Sequence, residues 1–189
     1  MAKKSPRTLH DTFLDELKDI YNGEKQITKA LPKMIKAATS PKLQAALQSH
    51  LDETEQQIVR LDQVFTSLGE TARGKQCEGI AGILSEGSAI MNEDLDEMAM
   101  DAALIGAGQR VEHYEMAAYG TLVAWATAMG HREAAGLLQQ NLDEEGAADK
   151  KLSKLAEGGI NQQAAEAAHP SGEEEGVATD IGRSTNRRR

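Results

Sequence analysis

Apolar residues return every three or four positions along four long stretches of this chain, and that period decides the fold class. The first stretch carries Leu9, Phe13, Leu17, Ile20, Ile27, Leu31, Met34 and Ile35. Thr8 and Asp11 stand at capping-box spacing before it, and Pro32 inside it is expected to kink the helix or end its regular part. Ser40-Pro41 opens the second stretch as an N-cap followed by proline, and Leu43, Leu47, Leu51, Ile58, Leu61, Phe65 and Leu68 lead to a stop at Gly69. Residues 69–79 read as a loop, and 80–98 as a short helix ending in the acidic patch 92–97. That helix would carry the chain to the other end of a bundle. A third long helix is expected from about Asp101 to Met129 and a fourth from His131 to about Glu157, with Gly158-Gly159 ending it. Six aromatic residues against 28 alanines argue against a sandwich or barrel. The fold class is therefore all-α: a four-helix bundle over residues 1–157, with a short crossover helix between its second and third helices. Residues 158–189 have almost no apolar content and are expected to be disordered.

Placed on helical wheels, several carboxylates fall on the apolar faces. Glu24 lies between the directions of Ile27 and Ile35. On the second helix His50 is at the centre of the apolar arc, between Leu43 and Leu68, and Glu53 is nearer its edge. Glu115 is central on the third helix, flanked by Leu104 and Leu122, with Glu112 one turn earlier. On the fourth, Glu145 and Asp149 both lie between Leu138 and Leu152. A buried carboxylate without a partner is costly, and no inward Arg or Lys is evident at matching depth. A dinuclear metal centre answers this, because it supplies about four positive charges to oxygen ligands. Iron, or alternatively manganese, suits such a shell better than copper or zinc.

The third helix has Glu112 and Glu115 as its only formal charges between Arg110 and His131, with Ala117, Gly120 and Ala124 where a polar stripe would be expected. It therefore predicts burial on both sides, the second by another copy of the chain in a homodimer. His113 faces that small-residue side. The 30 acidic and 21 basic residues give a net charge of −9, which disfavours nucleic acid as a partner. No apolar run approaches the ~20 residues of a membrane span, and the single cysteine, Cys77, fits a reducing compartment, so the cytoplasm is the expected location.

The stretches YNGEKQITKAL (21–31), SHLDETEQQIVRLDQVF (49–65), CEGIAGILSEG (77–87), AALIGAGQRVEHYEMAAYGTL (102–122) and EEGAADKKL (144–152) resemble the YciF/YciE-like, bacterial stress-associated family within the ferritin-like superfamily. The resemblance covers residues 8–157 in matching order. It implies a ferritin-like four-helix bundle, commonly dimeric, with a carboxylate-rich dinuclear metal site. Its ligands would be Glu24, Glu53, the pair Glu112 and Glu115, and the pair Glu145 and Asp149. Two departures stand out: Gln56 and Ala148 occupy the places where a ferritin-like Glu-x-x-His has its histidines. His50 is the inward histidine, read either as an extra ligand beside Glu53 or as a hydrogen-bonded core residue.

Blander readings stand beside these. Glu53 or Glu112 alone reads as a solvated edge charge, and Tyr21 and Tyr119 as packed side chains with satisfied hydroxyls. Cys77 reads as a half-buried loop residue. Two functions follow: a metalloprotein that binds iron and reacts with peroxide or oxygen, Glu53 or Glu145 bridging the ions, or a non-enzymatic dimeric stress protein with a structural or vestigial metal site.

Overall fold

Thr8 caps α1 (Leu9–Ala37) through the expected capping box: its amide and hydroxyl both donate to Asp11 Oδ2 at 2.7 Å, and its own oxygen accepts from the Asp11 amide. The computed structural model describes residues 6–168, and among these the chain is helical with no strand. Pro32 sits inside α1, and the helix continues through it to Ala37. Ser40 caps α2 (Pro41–Ser67), with Pro41 in the first turn, and Gly69, at a φ of 70°, follows the helix end. The crossover helix α3 spans Glu78–Ile90, α4 spans Glu97–Ala128 and α5 spans Arg132–Leu155.

Two boundaries differ from expectation. The acidic patch does not end α3; Asp96 within it caps α4, accepting from the Met98 and Ala99 amides at 3.0 Å, so α4 starts earlier than expected. Gly158-Gly159 bends the fourth helix without ending the ordered fold. The chain turns at Gly159 (φ 134°) within the wide turn Ala156–Ile160 and resumes as α6 (Asn161–Ala168). Ile160 is the cause: this one apolar side chain is buried with Leu152 and Ala156. The expected disorder over 158–168 is thus corrected, while 169–189 lie outside the described residues.

The four long helices form a ring in which α1 neighbours α2, α2 neighbours α5, α5 neighbours α4, and α4 closes on α1. The inward seam runs 13, 17, 20, 24, 27, 31, 34 on α1, 43, 47, 50, 54, 57, 61, 64 on α2 and 134, 138, 141, 145, 148, 152 on α5, with Tyr21, Gly23, Ala46 and Phe65 buried beside it. Steps of four and three alternate throughout, the seam of helices packed at a shallow crossing angle. The apolar part of this interior is in two pieces. One holds Ile27, Leu31, Leu43, Leu47, Leu104 and Leu152, and the other holds Phe13, Leu17, Leu61, Phe65, Leu122 and Leu138. A polar layer lies between them. No helix among the described residues is long and apolar enough to cross a membrane.

One flank of α4, on the side of Ala107 and Tyr114, is covered by α3 of the same chain. A Cβ added at Gly79 would stand 2.4 Å from the Tyr114 ring, and one at Gly87 would meet Ala107 at 3.7 Å. Tyr114 is held in place by Cys77 Sγ at 3.4 Å and Asp19 Oδ2 at 3.3 Å, and Cys77 is fully buried at the N-cap of α3. Gly79→Ala is therefore expected to destabilise the protein by about 1–3 kcal/mol, the overpacking cost exceeding the ~0.5–1 kcal/mol of helix propensity gained. A melting temperature equal to or above that of the unmodified protein would contradict this account.

Candidate metal centre

The seam that places leucines at both ends of the bundle places polar side chains at its middle. Glu24 comes from α1, His50, Thr54 and Gln57 from α2, Glu112 and Glu115 from α4, and Asn141 and Glu145 from α5, and all are buried. His50, Glu112, Glu115 and Glu145 each offer one ligand atom, and those atoms lie within 4.8 Å of one another. Nε2 of His50 is 3.2 Å from Glu112 Oε1, but the angles do not make a hydrogen bond, so both imidazole nitrogens lack a partner.

Part of the layer is held by neighbours. The Tyr119 hydroxyl donates to Glu24 Oε1 and accepts from Asn141 Nδ2 at 2.9 Å. Gln57 Nε2 donates to Glu145 Oε1 and, at 3.2 Å, to Glu144 Oε2. Arg60 donates to Asn141 Oδ1 and to Glu144 Oε1. This corrects the expectation that no cation approaches this depth: the Arg60 guanidinium ends against the inner wall, yet it is spent on Asn141 and Glu144. Four carboxylates and an imidazole remain with open valences.

Burial pushes the carboxyls of Glu24, Glu112 and Glu115 well above the ordinary range, and their mutual repulsion and that of Glu145 add to it. Burial lowers His50, favouring its neutral, ligating form, and raises the Tyr119 phenol.

Among the described residues, eight buried side-chain nitrogen or oxygen atoms have no hydrogen-bond partner, and every one belongs to this layer: Glu24 Oε2, both nitrogens of His50, Gln57 Oε1, Glu112 Oε2, both oxygens of Glu115 and Glu145 Oε2. One such group costs about 1–3 kcal/mol, so the set is large against the ~5–15 kcal/mol that holds a domain together. Oxygen and imidazole donors converging in this way fit a hard or borderline cation. By contrast, a cavity of about 590 Å³ between the α1–α2 turn and the bend at Gly159 leaves no such atom, because Thr39 and Ser40 donate three hydrogen bonds to its buried Asp101.

Two residues expected in the site stand apart from it. Glu53 is half-buried at the rim, accepting from Ser49 Oγ at 3.0 Å, because the α2 seam steps from 50 to 54 and passes it by. Asp149 is one residue past the α5 seam position Ala148, and it meets Gln109 Nε2 at 3.0 Å and the exposed His113 at 3.2 Å. Tyr21 also points elsewhere, donating to Asp62 Oδ1 at 2.7 Å. Gln57, Asn141 and Arg60 escaped the sequence reading. Gln57 stands seven residues after His50, a full seam repeat, which is the signal that identifies it.

Comparison with known proteins agrees with this architecture. The family described as "Domain of unknown function (DUF892)" matches residues 8–165. Protein YciF of Escherichia coli (strain K12) is 42% identical over 159 residues, which span 84% of this chain and 96% of that protein. The crystal structure of the E. coli stress protein YciF superposes with a TM-score of 0.80, at 41% identity over 83% of this chain and 99% of that one. The structure of YcfI from Rhodopseudomonas palustris gives a TM-score of 0.78, at 47% identity over 81% of this chain and 98% of that one. The chain belongs to the DUF892 family, as a YciF-like helical-bundle protein.

Proposed function

We propose that this protein is a stress-associated metalloprotein whose polar layer binds a pair of metal ions, iron in preference to manganese. The observation that carries this reading is the gathering of all eight unpartnered buried atoms into one layer. Glu112, Glu115, Glu145 and His50 would hold one ion, and Glu24, beside Glu115 and Glu145, would share in holding the second. Bound iron would supply redox chemistry toward peroxide or oxygen. The protein's own contribution is to keep bulk water out, to fix Glu24 through Tyr119 and Glu145 through Gln57, and to hold protons on the carboxyls when no cation is bound. The likeness to a stress protein supports the stress role. A homodimer belongs to the same reading, its contact on the Ala117 and Ala124 face of α4, where both alanines are exposed.

Aerobic addition of Fe(II) to metal-free protein is expected to give a ferric absorption band that saturates at about two irons per chain and is lost in Glu145→Ala. Protein that takes up no iron sinks the proposal. The enclosure of the layer favours a second reading, a purely structural ion. Excess metal at about 100 times its dissociation constant should stabilise either form by roughly 2.7 kcal/mol. Consumption of oxidant by the loaded protein separates the two readings.

A further inference from the structure

Glu53 lines two cavities at once. On the outside is an open cleft of about 290 Å³ whose charged groups are Asp52, Glu53, Arg60 and Glu144. On the inside is a cavity of about 10 Å³, room for roughly one water or one bare ion, lined by His50, Glu53, Glu112 and Ala148, with Lys151 at its edge. Arg60 is committed to Glu144 and Asn141, so the carboxylates of Asp52 and Glu53 set the sign of the cleft. Both His50 nitrogens and Glu112 Oε2, on side chains more than nine-tenths buried, have no hydrogen-bond partner at the inner end. A carboxylate therefore stands between acidic solvent-facing space and unpartnered donors, on the route where α2 meets α5.

We propose that Glu53 is an entry relay for divalent cations, taking an ion from the outer cleft and passing it to His50 and Glu112. The inference rests on the reading of the layer as a metal centre. Among the described residues Glu53 is anchored only by Ser49 Oγ, so its side chain can exchange that hydroxyl for a cation, and its place off the seam keeps it out of the resident set. Lys151, exposed beside the inner cavity, opposes passage by charge.

The test uses the full-length, metal-free protein and Co(II), with uptake followed by the cobalt visible absorption and release by transfer to EDTA. Glu53→Gln is expected to slow uptake and release together by about tenfold, the low end of electrostatic effects on association, with the dissociation constant unchanged. Lys151→Glu, at an exposed position, should speed both. Faster release with weakened affinity in Glu53→Gln would make Glu53 a resident ligand and overturn the proposal, as would rates equal to those of the unmodified protein. Failure of the unmodified protein to bind cobalt would instead remove the metal centre itself, and the relay with it.

Discussion

Glu115→Met is expected to melt at a higher temperature than the unmodified protein when both are free of metal, and to bind no metal. Glu115 is 1% exposed, both of its oxygens lack partners, and burial together with Glu24, Glu145 and Glu112 opposes its ionisation. Methionine has similar length and flexibility and carries nothing to desolvate. Removing an unpartnered buried group recovers about 1–3 kcal/mol, and each kcal/mol moves the midpoint of a domain this size by about 2–4 °C. The gain should therefore be about 5 °C, read by calorimetry or circular dichroism in the presence of chelator. A lower midpoint would mean that Glu115 contributes net stability in the metal-free chain, and the strain assigned to this layer would be wrong.

Metal-free protein should also lose stability as pH rises from 6 to 8, which is unusual for an acidic protein. Burial raises the carboxyls of Glu24, Glu112 and Glu115 above their unfolded values, so the folded state holds more protons than the unfolded one once pH exceeds about 4.5. Stability then falls as pH rises, by up to about 1.4 kcal/mol per pH unit for each group until it ionises in the fold. His50 has the opposite sign: its lowered value costs stability as pH falls below about 6.5, so it is silent in the upper part of the window. Metal loading requires the carboxylates ionised, so the stabilisation by added Mn(II) should grow over the same interval. Melting curves at pH 6, 7 and 8, with and without metal, check both slopes. A metal-free midpoint that climbs with pH would contradict the excess of protons on the folded state.

The fold was legible because its determinants are local. Thr8-Asp11, Ser40-Pro41 and Gly69 mark helix ends whichever neighbours are present, and the apolar period gives each inward face. Five of the proposed ligands, Glu24, His50, Glu112, Glu115 and Glu145, stand on the buried stripes and were visible for that reason. Glu53 and Asp149 were misplaced by a single cause. A wheel drawn at about 100° per residue drifts by roughly 20° per heptad against a 3.5-residue seam, enough to admit a neighbour of the true inward position. Arg60 was missed for a different reason. Its Cα is on the shoulder of α2, and the reach of a long side chain to Asn141 is not encoded in any period. The Ile160 anchor was hidden because one apolar residue in a polar segment carries no periodic signal at all.

The division of the apolar interior into two clusters has a mechanical consequence. Each end of the bundle is a small greasy knot tied from all four long helices, and between the knots the molecule has a waist where buried carboxyls oppose one another's ionisation. The knots are coupled because every long helix passes through both, so the waist cannot widen without bending continuous backbone. A cation at the waist would change its character, turning a layer of unpartnered donors into the one that ties the two knots into a single cooperative unit.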